Sequence, residues 1–333
     1  MTLLDITLNH LPIFKHLTKQ ELNFLMPYLN ETYAEAHDVL LTQGQAQGDL
    51  YIIISGRVNV DIRLPGDYLQ QLASLSVGDI FGEVSFISKR QVTTNVTACE
   101  PTRLLVMKHT TLDMLRLANP HMTYAIEHYI SYRCFNKIMY SLDNIVTLLE
   151  KTDQMIPSFS QTNQLENTQT QSVELTLDEL DAYHYKTLNF LALLTPEQLT
   201  QLTPLLTIKR YDRGHRFIVD AQHPTRLGVI YSGAITSFIQ QDNILIKPLD
   251  VTGIGDMFMQ NAISDAFEQL ITYVTCEQSI VIELAIGDYR QLRHTHPDLF
   301  FVISAAIHRE IANSVYVFNS QFIRMNSEYN YIM

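Results

Sequence analysis

The hydrophobic positions of this chain change period in a fixed order, and they do so twice. Near the N-terminus Leu22 and Leu25 lie at helical spacing behind Thr18-Lys-Gln-Glu21, a capping-box start. Short runs rich in Ile, Val and Tyr follow: Leu50-Tyr-Ile-Ile-Ile-Ser-Gly56, then Arg57-Val-Asn-Val-Asp-Ile62 with a period of two. Such runs, ended by glycine, predict strands joined by a tight turn. Apolar positions three and four apart then predict a long closing helix over about 121–151. The order returns with Thr195-Pro-Glu-Gln198, strands over Leu227–Gly233 and Ala234–Ile239, and a closing helix over about 298–324.

The return is a true repeat, with a constant offset of 177 residues (194 minus 17). Leu17-Thr18 recurs as Leu194-Thr195, Ser55-Gly56 as Ser232-Gly233, and Gly78-Asp79 with Phe81 as Gly255-Asp256 with Phe258. Cys99-Glu100 recurs as Cys276-Glu277, and Pro120 as Pro297. An ungapped register of turn residues over a hundred positions marks each copy as one domain, since a solenoid unit would repeat every ~20–50 residues. The expected organisation is a first domain over 1–151, a polar linker over 152–180 and a second domain over 181–333. The stretch Thr152–Ser172 is rich in Gln, Thr, Asn and Ser, cannot bury a core, and is read as a tether.

Composition narrows the function. The 333 residues suffice for two domains, and 46% hydrophobic with 17% charged residues is a folded composition. A net charge of -12 with no basic run argues against duplex binding, so no nucleic-acid partner is expected. The acid in MTLLDITLNHL stands where an export signal would be positive, and no apolar run is long enough for a bilayer, so a cytoplasmic location is expected. Three scattered cysteines are read as thiols, with no metal and no cofactor. His294-Thr-His296 near Asp288 and Asp298 is read as a solvated loop, and Gly253-Ile-Gly255 lacks the rest of a dinucleotide fingerprint. No catalytic constellation is visible, and a non-enzymatic chain is expected.

The segment Gly78-Asp-Ile-Phe-Gly-Glu-Val-Ser-Phe-Ile87 resembles the phosphate-binding cassette of the cyclic-nucleotide-binding family, which includes the catabolite activator protein and the protein kinase A regulatory subunit. The resemblance implies a mainly β fold with helices (α+β): two tandem β-barrel, or jelly-roll, domains, each with N-terminal helices and a long closing helix. It also implies a site at Gly82, Glu83, Val84 and Ser85, with Val92, Thr93 and Thr94 on the following strand start. Glu83 would accept a hydrogen bond from a ribose 2′-hydroxyl, and N–H groups over Val84–Phe86 would cradle a cyclic phosphate. The family's arginine lies nine residues after the glutamate; here that position is Val92. Arg90 is an alternative phosphate contact. A glutamate that merely opens a short helix is the plain alternative for Glu83.

In the second copy Met259-Gln260 replaces Gly-Glu, and Gln269 stands at the arginine position, so that pocket reads as closed or repurposed. A buried charge left without its partner costs roughly 2–5 kcal/mol, which disfavours tight cyclic-AMP binding. A cyclic nucleotide held atypically, a nucleoside or a dinucleotide are the ligands left open. The expected role is a regulatory sensor that relays ligand or partner binding to an unknown effector protein; an interaction scaffold with decayed pockets is the rival. Ile138, Leu142, Ile145 and Leu149 form a heptad-like seam that would serve either a homodimer through 121–151 or packing on the chain itself.

Overall fold

The computed structural model describes residues 8, 10–46, 48–155, 172–181, 184–185, 188, 190–217, 226–241, 244–263 and 271–332. It divides into two units, residues 1–148 with 311–333, and residues 149–310.

In the first unit, helix α1 (Lys19–Leu25) starts with the expected capping box: Thr18 Oγ1 accepts from Glu21 N–H, and Glu21 accepts from Thr18 N–H. Eight strands follow: β1 (Leu29–Ala34), β2 (Val39–Leu41), β3 (Leu50–Ser55), β4 (Val58–Arg63), β5 (Leu69–Leu75), β6 (Ile80–Phe81), β7 (Asn95–Ala98) and β8 (Thr102–Met107). They form two antiparallel sheets, ordered β1-β8-β3-β6 and β2-β7-β4-β5. Two four-stranded sheets interleaved this way are a jelly-roll arrangement, left as two sheets and not joined into the closed barrel the resemblance implied. In β4, Val58, Val60 and Ile62 are buried while Asn59 and Asp61 between them are half-buried, the alternation legible in the sequence. Val58 and Val60 join Leu41, Ile53, Leu75, Phe81, Val96 and Leu104 in one apolar cluster.

Helix α2 (Glu83–Ser88) interrupts the strands, and α3 (Thr111–Ala118) and α4 (Pro120–Met155) close the module. Ile138, Leu142 and Ile145 of α4 are fully buried within the single chain. The heptad seam is therefore already packed intramolecularly.

The second unit repeats the plan. Helix α5 (Pro196–Leu202), capped by Thr195, lies 177 residues after α1. Strands β10 (Leu206–Tyr211), β11 (Arg216–Phe217), β12 (Arg226–Ser232), β13 (Ile235–Gln241), β14 (Ile244–Thr252), β15 (Met257–Phe258), β16 (Ile271–Thr275) and β17 (Ser279–Ala285) form sheets β15-β12-β17-β10-β9 and β11-β16-β13-β14. The additional strand β9 (Ser172–Leu175) comes from the end of the expected linker and pairs antiparallel with β10. Of that linker, 156–171 lie outside the described residues, and 152–155 continue α4. Helix α6 (Ile286–Thr295) follows, and α7 (Pro297–Ile332) begins in this unit, its residues from 311 onward belonging to the first. His294 thus sits in the last turn of α6, not in a loop, because the helix continues to Thr295 before breaking ahead of Pro297.

Phe81 and Phe258 anchor the two cassettes, and the residue after each has a positive φ: +79° at Gly82 and +61° at Met259. A Cβ on Gly82 would come within 2.2 Å of the Asp49 carbonyl oxygen. Glycine is required there by conformation and by space. Gly82→Ala is expected to destabilise the first unit by at least about 3 kcal/mol, adding a backbone clash to the cost of left-handed backbone. Chemical denaturation checks this; a loss below about 1 kcal/mol would show that the cassette backbone yields easily.

Candidate functional site

The first cassette is a strand, a left-handed glycine and a short helix. Its six helical residues, Glu83 to Ser88, are all buried. Ser85 Oγ donates to the Gly82 carbonyl (3.1 Å) and accepts from Gly48 N–H (3.2 Å), tying the cassette to the loop before β3. Asp49 in that loop accepts from His109 N–H at 2.9 Å and faces the His109 ring and Lys108. Burial alone would raise the Asp49 pKa, but these bonds outweigh it and hold the carboxyl below its usual value. The stability they contribute is present above the ordinary carboxylate range and is lost as pH falls through the lowered folded value.

Glu83 is 1% exposed. Its charge is met by Lys137 of α4, whose Nζ makes an ion pair with Glu83 Oε1. That approach lacks hydrogen-bond geometry, and neither Glu83 oxygen has a hydrogen bond among the described residues. One helical turn earlier, Arg133 pairs with Asp79 at 3.0 Å. Cys134 lies between these two contacts, and burial, reinforced by the Glu83 charge, pushes its thiol pKa up.

The opposite end of the cassette is apolar. Val92 is 4% exposed and belongs to the core cluster. Its backbone bonds Gln45 and Gly44, Val92 N–H donating to the Gln45 carbonyl at 2.9 Å. Thr93 and Thr94 follow, half-buried, and Val84 is buried beside Glu83. Arg90 is exposed and lies over the Tyr316 ring, 5.6 Å from its centroid.

A second set of charges runs from the end of α2 to α4. Lys89 pairs with Asp113 of α3, Arg116 donates to Asp113 at 2.7 Å, and Arg116 Nε donates to Glu127 of α4 at 2.8 Å. Glu127 is 2% exposed. Sequence reading missed Arg133, Lys137 and this network, because their partners are 24 to 54 residues away or lie across a helix junction. The one available signal was the spacing of Arg133 and Lys137, four apart on a predicted helix.

In the second unit Met259 and Gln260 stand where the first has Gly82 and Glu83. Met259 holds the left-handed conformation although it carries a side chain, a strain of order 1–2 kcal/mol. Met259 and Gln260 are buried, and a 3-10 turn over Gln260–Ile263 replaces the short helix. Gln269 lies outside the described residues. Interior rings fill this module: Phe258 contacts Phe217 and Tyr273, with centroids 4.9 and 5.6 Å apart. Buried Glu283 accepts from Tyr211 and pairs with Arg226 at 3.3 Å.

A jelly roll interrupted by a glycine-to-glutamate cassette and closed by a long helix is the cyclic nucleotide-binding architecture. Residues 31–119, within the first module, match the family model for the cyclic nucleotide-binding domain. The chain is 27% identical over 96 residues to the cyclic AMP receptor protein of Thermus thermophilus, covering 29% of this chain and 44% of that protein. It is similar to the solved regulatory domain of Toxoplasma gondii PKA with cAMP, at 15% identity and a TM-score of 0.33, over 89% of this chain and 93% of that one. It is also similar to the solved catabolite activator protein of Thermus thermophilus, at 21% identity and a TM-score of 0.34, over 43% of this chain and 71% of that one. The chain spans less than half the length of the curated relatives it matches. Among the described residues no helix is long and apolar enough to cross a membrane.

Arg116 holds buried Glu127 and half-exposed Asp113 at once. Arg116→Met is expected to cost about 3 kcal/mol, the scale for removing one partner of a buried ion pair. Equilibrium denaturation measures it; a loss within about 0.5 kcal/mol would class the network as surface decoration.

Proposed function

We propose that this chain is a non-enzymatic regulatory protein of the cytoplasm. Its first module responds to an uncharged ribose-bearing ligand, a nucleoside, and relays the change through α4 to a partner protein. The observation that carries this reading is the placement of Val92 in the apolar core cluster. The position from which the resemblance would have an arginine meet a cyclic phosphate holds a buried valine, while the position that would meet a ribose holds buried Glu83. A phosphate brought there would lose water without gaining a charge-assisted bond, a deficit of roughly 2 kcal/mol or more. A nucleoside carries no such charge.

The relay has a physical path. Asp79 and Glu83 bracket the cassette glycine, and both pair with α4; Lys89 at the end of α2 reaches α4 through Asp113, Arg116 and Glu127. A shift of the short helix changes what holds α4. The scaffold alternative fits the second module, whose interior is filled by rings. Homodimerisation through 121–151 would use the face of α4 that exposes Tyr132 and Tyr140, because the apolar seam is already buried.

Calorimetry on the whole chain with adenosine and guanosine, against their 3′,5′-cyclic monophosphates, tests the reading. The nucleosides are expected to bind at least about tenfold more tightly, and Glu83→Ala to abolish the preference. Val92→Arg is expected to lower the melting temperature without ligand, since it buries a charge, and to regain stability with cyclic AMP but not with adenosine. Tighter cyclic-nucleotide than nucleoside binding by the unaltered chain overturns the proposal.

A further inference from the structure

Glu83 is nearly inaccessible, yet its carboxylate has no hydrogen bond among the described residues and is met there by the Lys137 ammonium. A carboxylate buried alone would be strongly disfavoured. Lys137 therefore makes the closed cassette tolerable. Its side chain is 37% exposed, so the ammonium can exchange this contact for water without crossing the core. Arg133, one turn earlier on the same helix, keeps its own pairing with Asp79 and holds the helix near the cassette while Lys137 moves.

Charge balance gives the ligand class. A glutamate with an arginine at the phosphate end would sum to zero with both groups free to meet a ligand. Here the sum is again zero, but the cation sits at the ribose end and already touches the glutamate. When Lys137 leaves, Glu83 presents acceptors only, and it repels an anion. A vicinal diol can replace the ammonium N–H donors with two O–H donors.

We infer that Lys137 is the resident occupant of the ribose position, and that a ligand binds the first cassette by displacing the Lys137 ammonium from Glu83 with a ribose 2′,3′-diol. This rests on the nucleoside reading above and adds its selectivity: Lys137 sets the threshold that a ligand must exceed. Deoxynucleosides, with one donor fewer, fall below it.

The test uses the whole chain as wild type, Lys137→Met, Lys137→Arg, Glu83→Gln and the double variant Lys137→Met/Glu83→Gln. Two readouts are needed: calorimetry with adenosine and 2′-deoxyadenosine, and amide hydrogen exchange across α4. Lys137→Met is expected to bind adenosine about tenfold more tightly than wild type, to admit 2′-deoxyadenosine, and to exchange faster along α4 without ligand. Lys137→Arg is expected to restore wild-type behaviour, and the double variant to exchange no faster than either single one. Equal or weaker adenosine binding by Lys137→Met overturns displacement and leaves the nucleoside reading standing. No adenosine binding by wild type or variants overturns both the nucleoside reading and displacement by it. Exchange unchanged in Lys137→Met and Glu83→Gln removes even the resting contact.

Discussion

The first module is organised around a carboxylate that the fold buries and must neutralise. Gly82 turns the chain into α2 and places Glu83 beneath it, where solvent cannot screen the charge. Desolvating such a group costs several kcal/mol, so its counter-ion is a structural requirement. The chain meets that requirement from α4, through Lys137, and not from the strand start after the cassette. The choice frees position 92 to be apolar, and Val92 completes the cluster that joins the two sheets. Position 92 thus contributes to a core, and the cation that meets Glu83 stands on the closing helix.

That counter-ion ties the cassette to the closing helix. Arg133 and Lys137 lie one turn apart on the face whose neighbours Ile130, Cys134 and Ile138 are fully buried. The Lys89–Asp113–Arg116–Glu127 charges give the same helix a second tie. Met259 retains the left-handed turn at a steric cost, so the turn persists in this fold even without a glycine.

The architecture was readable because it is written in local signals. The capping boxes at Thr18 and Thr195, the alternation in β4 and the offset of 177 residues each depend on neighbours in sequence. Gly82 and Glu83 were legible through the cassette pattern, and Val92 through counting. Lys137 was not. It is one of several polar residues on a long helix, and nothing local shows that it meets a glutamate 54 residues earlier (137 minus 83). Strand β9 was hidden in a polar stretch because four alternating residues, Ser-Val-Glu-Leu, become a strand only when β10 offers an edge.

The central claim is that Glu83 is held by Lys137, with Val92 in the core, whenever the cassette is empty. A crystal structure of the chain purified without added ligand tests it most directly. Density is expected to join the Lys137 side chain to the Glu83 carboxylate, with Val92 packed against the cluster of Leu41, Ile53 and Val96. A phosphate-bearing ligand on Glu83, with Lys137 turned to solvent and a cation drawn to its phosphate, would contradict it.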